Sequence, residues 1–260
     1  MASRRRLHVP FASQGSVPPD DIDIEIDSAA SITVGCAELP PGKNRAAYFR
    51  ALPLLEMRLP GDRIPTPSVA DRWRADAGSR QLALVAPRAL LQLRAPGAPT
   101  PVDLESQTAA LAETAARIRA AAVVFITPPD LSPSSAHRDL LRSFFDEVAT
   151  ADRFGGEGGS VRVWQPDGLW RPVVADALAQ ELGLVPAIDP LAADTLEEGI
   201  PEAGEIAYAR VTGLGRPSRP LGTDDLEQLV EWAAPSRRAF IVFATPTRYQ
   251  DAIALSRALA

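Results

Sequence analysis

The chain has 260 residues, a formal net charge of -6, and 46% hydrophobic residues. This hydrophobic content supports a sizeable core and excludes a chain that is disordered throughout. The acidic balance argues against a general nucleic-acid binder, because phosphate contacts need a basic face. No apolar run reaches the roughly 18–20 residues of a membrane span. We therefore expect a soluble, cytoplasmic protein with neither nucleic acid nor membrane as a partner.

Cysteine and histidine are scarce. The sequence contains one cysteine, Cys36, and two histidines, His8 and His137. A single cysteine cannot form an internal disulfide, and these three residues cannot complete a tetrahedral Cys/His zinc site. The sequence therefore predicts no metal and no other cofactor, although a site built only from carboxylates stays open.

Residues 1–30 have the composition of a tail. Three arginines at 4–6 are followed by Pro18-Pro19 and by the acidic run DDIDIEID at 20–27. The alternating isoleucines of that run could form an edge strand, but acids stand at the alternate positions. We predict a disordered N-terminal extension at 1–30 and one barrel domain at 31–260.

From Ser31 onward, short apolar runs alternate with helical patterns. Predicted strands lie at 32–36, 53–58, 81–86, 122–127, 160–165, 184–189, 206–213 and 239–245. Predicted helices lie at 43–52, 67–77, 102–121, 132–151, 169–183, 223–234 and 248–260. Thr66 before Pro67 and Thr223 are predicted N-caps. The stretch from 190 to 204 is irregular, so the sixth helix is expected to be short or missing.

Two of the strand patterns indicate the sheet type. AVVFIT (122–127) and AFIVFAT (239–245) are apolar on both faces, as covered parallel strands must be. Eight strand–helix units in about 230 residues fit a single TIM-like (β/α)8 barrel, an α/β fold. The alternative is a doubly wound open sheet, which usually carries a glycine-rich phosphate turn. The turn PPGK at 40–43 has no such spacing.

The strand-end residues resemble the YecE-like family of uncharacterised TIM-barrel proteins, domain of unknown function 72. The segments that carry the resemblance are VGC (34–36), YF (48–49), LLEMR (54–58), IPTPSVADRW (64–73), FITPPDL (125–131), AYARVTG (207–213) and FIVFAT (240–245). It extends from about Ile32 to Leu259 and implies a TIM barrel. The activity of the family is not established, so the resemblance implies no particular reaction.

The chain also departs from the family pattern. The family shows Glu, Arg and His before a Trp at strand five, whereas this chain has VRVWQPDGLW (161–170). Thr212 replaces an expected His, Ala244-Thr245 replaces paired Asn, and Arg88 stands near an expected Lys. TIM-barrel sites are built at the C-terminal strand ends. The departures therefore imply altered or lost chemistry. The family positions that survive are Glu56, Trp73, Trp170, Asp189, Tyr208 and Arg210.

A charged cluster is expected at the barrel mouth. Glu56 and Arg58 alternate along strand two and so point to one side of it, and Arg210 near the end of strand seven is a natural partner for Glu56. With Asp189 these residues could form an anion-binding or acid–base cluster. They could equally form a structural ion pair, with Asp189 bonding the backbone of its own turn. Both interpretations stay open.

Further candidates follow the same strands. Tyr208 precedes Arg210 on strand seven, and the loop GLGRPSRP (213–220) contains Arg216. Loops after strands seven and eight often hold phosphate in barrels. Tyr208, Arg58, Arg210 and Arg216 are therefore the predicted ligand-binding residues. Trp164 and Trp170 could line the mouth of a pocket.

Cys36 is expected to be an inert, packed thiol, because neither histidine is placed to activate it.

Three functions are consistent with these features. The first is binding of a small anionic ligand at the C-terminal face, with altered or lost chemistry. The second is a non-catalytic scaffold or partner-binding barrel whose protein partner is unknown. The third is a hydrolase or lyase that uses Glu56 and Asp189 as an acid–base pair, which requires carboxylates about 5–9 Å apart.

Overall fold

The computed structural model describes residues 31–93, 103–156, 158–192, 199–213 and 220–260. Within them, eight parallel strands close into a barrel in chain order, and the last strand pairs with the first. The strands are β1 (Ser31–Ala37), β2 (Leu54–Arg58), β3 (Gln81–Val85), β4 (Ala122–Ile126), β5 (Val161–Gln165), β6 (Val185–Ile188), β7 (Ile206–Val211) and β8 (Arg238–Phe243). The predicted TIM barrel is confirmed, and the open-sheet alternative is excluded.

Helices cover the outside of the barrel. The described α-helices are α1 (Arg45–Phe49), α2 (Pro67–Ala77), α3 (Leu104–Ile118), α4 (Ser135–Ser143), α5 (Pro172–Glu181), α6 (Thr223–Ala233) and α7 (Arg248–Ala258). Short 3-10 turns lie at Pro60–Asp62, Arg88–Leu91 and Asp152–Phe154. The expected short or missing helix after β6 falls partly on residues 193–198, which lie outside the described residues, as does the predicted tail at 1–30.

Two local predictions differ from the structure. The helix predicted at 132–151 ends as α4 at Ser143 and continues as a π-turn over Phe144–Val148. Phe144 and Phe145 both make edge-to-face ring contacts with Phe125 there, which accounts for the local change of winding. Thr223 is the first residue of α6 and not its cap. The N-cap is Gly222, whose N–H donates to the Asp225 carboxylate at 3.1 Å.

The core has two layers, because side chains alternate between the two faces of each strand. One layer fills the barrel and contains Leu54, Val163 and Phe240. The other lies between barrel and helices and contains Trp164 and Tyr48. Trp164 therefore packs outside the barrel, against Trp170, and does not reach the mouth as the sequence had suggested.

Gly35 explains one of the family-like segments. A Cβ atom at this position would lie 2.1 Å from the carbonyl oxygen of Leu54 on β2. Only glycine allows the backbones of β1 and β2 to approach this closely. The glycine of the segment VGC is therefore required for packing and not for chemistry.

Candidate functional site

A charged cluster lies inside the barrel toward the C-terminal ends of its strands. The Glu56 side chain is only 1% exposed. Its carboxylate accepts from the Tyr208 hydroxyl at 2.8 Å and from Arg210 Nε at 3.0 Å. Arg210 Nη1 also donates to Gln165 Oε1 at 3.1 Å. We call these four residues the Glu56 cluster, and they join β2, β5 and β7 across the barrel.

The electrostatics of this cluster follow from burial and pairing. Burial alone would lower the pKa of the Arg210 guanidinium, but the Glu56 carboxylate outweighs it and raises that pKa. Burial, and then the charge of Glu56, raise the pKa of the Tyr208 hydroxyl. Both groups therefore keep their protons at neutral pH and donate them to Glu56. The cluster is a satisfied ion pair that leaves neither Glu56 nor the Arg210 Nε unpartnered.

Asp189 lies just beyond β6 and holds a different set of partners. One carboxylate oxygen accepts from the Thr212 backbone N–H at 2.7 Å and from its hydroxyl at 2.8 Å. The other accepts from the Leu191 backbone N–H at 3.1 Å. Asp189 and Arg210 line the same cavity of about 150 Å³, together with Gln165 and Asp167. Asp189 thus ties the end of β6 to the end of β7.

Arg58 does not join the Glu56 cluster. Its Nε lies 3.2 Å from Glu38 Oε1, and both side chains are partly exposed. Arg58 and Arg88 line one cavity of about 260 Å³ at the ends of β2, β3 and β4. We call it the Arg58 cavity; its other polar lining residues are Gln92, Thr127 and Asp167.

Two cations and one acid therefore surround the Arg58 cavity. Arg88 is exposed, and its guanidinium makes no hydrogen bond within the described residues. Asp167 is also exposed and accepts from the Gly168 N–H at 2.9 Å. The Thr127 side chain is fully buried, and its hydroxyl accepts from Trp164 Nε1 at 3.3 Å, so the two arginines are the donors that face the cavity. The cavity thus offers donors to an anion.

A neutral cluster lies on the opposite face of β1 and β2. The Cys36 backbone N–H donates to the Tyr48 hydroxyl at 2.8 Å, which in turn donates to the Leu54 carbonyl at 2.6 Å. We call these three residues the Tyr48 cluster. Cys36 is fully buried, and burial raises the pKa of its thiol to about 12. This environment matches the inert thiol expected from the sequence.

The remaining predictions concern Arg216, metal binding and membrane spans. Arg216 lies in 214–219, outside the described residues. Over the part of the chain that is described, no group of three or more His, Cys, Asp or Glu side chains could hold a metal ion. Nor is any helix there long and apolar enough to cross a membrane.

Sequence reasoning named Arg88 only as a substitute for a family lysine, and it gave no role to Gln165 or Thr127. Gln165 could have been found from its register, because it stands two residues after the inward-facing Val163 at the end of β5. The role of Arg88 could not have been found from the sequence, because Arg88 lies on a 3-10 turn whose path depends on tertiary packing.

No protein-family model matches the chain, and a search of curated proteins found no match. Solved structures do match. The DUF72 family protein EF0366 from Enterococcus faecalis V583 has a TM-score of 0.65 at 11% identity, covering 88% of this chain and 95% of its own. The DUF72 family protein TM1631 from Thermotoga maritima MSB8 has a TM-score of 0.60 at 11% identity, covering 88% and 98%.

A D-psicose 3-epimerase, solved in the presence of D-fructose, has a TM-score of 0.58 at 9% identity, covering 82% of this chain and 84% of its own. At sequence identities this low, the comparison shows a shared fold and does not show a shared site. The chain therefore has the TIM-barrel fold of the DUF72 structures, which is consistent with a divergent YecE-like protein.

Proposed function

We propose that this protein is a divergent DUF72-type barrel that binds a small anionic ligand at its C-terminal face through Arg58 and Arg88. The observation that carries the proposal is that both guanidinium groups line one cavity. Guanidinium groups bind carboxylate and phosphate oxygens through paired, charge-assisted hydrogen bonds. The C-terminal face is also where barrels of this fold place their ligands.

The size of the Arg58 cavity sets the size of the ligand. About 260 Å³ holds an inorganic phosphate, a sulfate or a carboxylate of a few carbon atoms. The exposed Gln92 side chain supplies neutral hydrogen-bonding groups beside the two cations. These groups suit a ligand that carries hydroxyl groups as well as a negative charge.

Arg210 and Gln165 of the Glu56 cluster line the cavity that contains Asp189 and not the Arg58 cavity, and the cluster supplies no free cation. Arg210 is committed to Glu56 and Gln165, and Tyr208 is committed to Glu56. Glu56 and Asp189 each already accept hydrogen bonds from protein groups. We therefore propose that Arg210 and Tyr208 hold the strands of the barrel together without contacting the ligand, and that altered chemistry does not start from a free carboxylate pair.

Binding of inorganic phosphate and sulfate tests the proposal. We expect both anions to raise the melting temperature of the wild type in a saturable way. The double variant Arg58→Ala/Arg88→Ala should weaken the affinity by about tenfold or more, the scale of one lost charge-assisted hydrogen bond. Calorimetric titration measures the affinity directly.

Arg72→Ala is the matched control, because Arg72 is an exposed arginine on α2 without a hydrogen bond among the described residues. It should bind as the wild type does. If no anion in the panel shifts the wild-type melting temperature, or if Arg72→Ala weakens binding as much as the double variant, the proposal is wrong. The non-catalytic scaffold then becomes the better description.

A further inference from the structure

A second basic cavity lies at the opposite end of the barrel. It has a volume of about 600 Å³ and lies where β3, β4, β5 and β8 begin and where α2 and α3 end. We call it the basal cavity. Five arginines line it: Arg74, Arg80, Arg119, Arg153 and Arg238. Among its described lining residues, Asp152 is the one acid.

This concentration of positive charge contrasts with the chain as a whole, whose net charge is -6. Burial, together with the nearby charge of Arg119, lowers the pKa of Arg74. Like charges held this close repel each other unless an anion lies between them. Each arginine should therefore either make contacts within the protein that stabilise its charge or bind an anion in the cavity.

Two of the five arginines have a structural reason. Arg74 donates to the backbone carbonyls of Ile118 at 2.9 Å and of Arg80 at 2.7 Å, which closes the ends of α2 and α3. Arg238 donates to Gln81 Oε1 at 3.2 Å and stacks its guanidinium on the Phe240 ring. These contacts account for both residues without a ligand.

The other three have donors to spare. Arg153 contacts Glu105 through Nη2, but its Nη1 is buried and has no partner. The exposed side chains of Arg80 and Arg119 make no hydrogen bond within the described residues. A ligand cannot reach the buried Nη1 of Arg153, whereas the exposed guanidinium groups of Arg80 and Arg119 line the cavity without an acceptor among the described residues.

The backbone of Arg119 supplies a second argument. Arg119 ends α3 with φ at 51°, in the left-handed region. Glycine or asparagine is favoured at this position, and other residues are held there at a cost. The backbone N–H of Arg119 bonds to the carbonyls of Ala115 and Ala116, so the helix end needs this conformation but does not need an arginine side chain.

We propose that the basal cavity binds a small molecule carrying a polyphosphate group, held by Arg80 and Arg119. Two guanidinium groups match the several oxygens and charges of such a group. One wall is apolar and consists of Ala115, Ala116, Ala120, Ala121 and Phe154. This wall gives a non-polar part of the ligand a surface to pack against. The volume lies in the range of small-molecule sites.

Tripolyphosphate is the first probe, and the protein carries Arg58→Ala/Arg88→Ala so that the Arg58 cavity does not contribute. At 150 mM salt we expect one saturable site by calorimetric titration. Adding Arg80→Ala and Arg119→Gly should weaken its affinity at least tenfold. Adding Arg257→Gln, which removes an exposed charge from α7, should leave the affinity unchanged. ADP should bind more tightly than pyrophosphate if the apolar wall contributes.

Arg119→Gly separates a binding role from a structural one. Glycine adopts the left-handed conformation freely, so this variant should melt at the same or a higher temperature than its parent while it loses affinity. The proposal is overturned if tripolyphosphate shows no saturable binding at 150 mM salt, or if Arg257→Gln weakens it as much as the basal variants. Because the C-terminal cations are already removed, either result leaves the Arg58 proposal untouched.

Discussion

The Glu56 cluster and the Tyr48 cluster lie on opposite faces of neighbouring strands, and each satisfies buried polar groups in a different way. The Glu56 cluster joins side chains from three strands through an ion pair inside the barrel. The Tyr48 cluster uses one neutral hydroxyl between two backbone groups, outside the barrel. The charged cluster lies toward the C-terminal ends of the strands, whereas the neutral one is buried beneath α1. The family-like segments therefore divide into a set near the site and a set that only holds strands together.

Breaking the ion pair should have the largest effect. Glu56→Gln leaves the buried Arg210 charge without its counter-ion, and we expect unfolding to become easier by about 3–5 kcal/mol. Urea unfolding followed by circular dichroism measures the change. The double variant Glu56→Gln/Arg210→Met removes both charges and should recover most of the loss. If the free energy of unfolding of Glu56→Gln lies within about 1 kcal/mol of the wild-type value, the pair does not have this structural role.

Removing the neutral hydroxyl should cost less. Tyr48→Phe leaves the Cys36 N–H and the Leu54 carbonyl without this partner, for an expected loss of about 1–3 kcal/mol. The control is Tyr249→Phe, because Tyr249 packs against Tyr48 without a hydroxyl hydrogen bond in the described part of the chain. Equal losses in the two variants would show that the hydroxyl bridge contributes nothing.

The same cluster should make stability fall at alkaline pH. The Cys36 thiol has an ordinary pKa of 9.0, and burial raises it to about 12 in the folded chain. Between these values the unfolded state loses the proton first. The contribution of this thiol to the free energy of unfolding should then fall by about 1.4 kcal/mol for each pH unit. Comparing wild type with Cys36→Ala from pH 8 to pH 10 isolates the contribution, and parallel pH profiles would refute it.

The smallest effect concerns the edge of the ligand site. Glu38→Gln removes the exposed partner of Arg58, and we expect a stability change under about 1 kcal/mol. The freed guanidinium should bind phosphate about two- to fivefold more tightly, the range that such a surface pair is worth. Glu181→Gln, at an exposed pair with Arg142 elsewhere on the surface, is the control. Weaker phosphate binding by Glu38→Gln would argue that Glu38 itself contacts the ligand.

The fold was predictable because its signal is local and repeated. The segments AVVFIT and AFIVFAT are apolar on both faces, which indicates covered parallel strands. The alternation of side chains along β2 and β7 also indicates that Glu56 pairs with Arg210. The sites were less predictable. The position of Arg58, which pairs with Glu38 and lines a cavity with Arg88, depends on the height of each strand in the closed barrel. The basal cavity depends on where two helices end relative to four strands, and no pattern in the sequence encodes that distance.

The ion pair also bears on whether this barrel can be divided. Glu56 belongs to the first four strands, whereas Arg210 and Gln165 belong to the last four. A cut between Gly155 and Gly156 would separate them at a turn where both residues already have positive φ. Each fragment would then keep a lone charge at the edge that the other fragment should cover. We therefore expect that neither half folds on its own and that co-expressed fragments fold only when they associate.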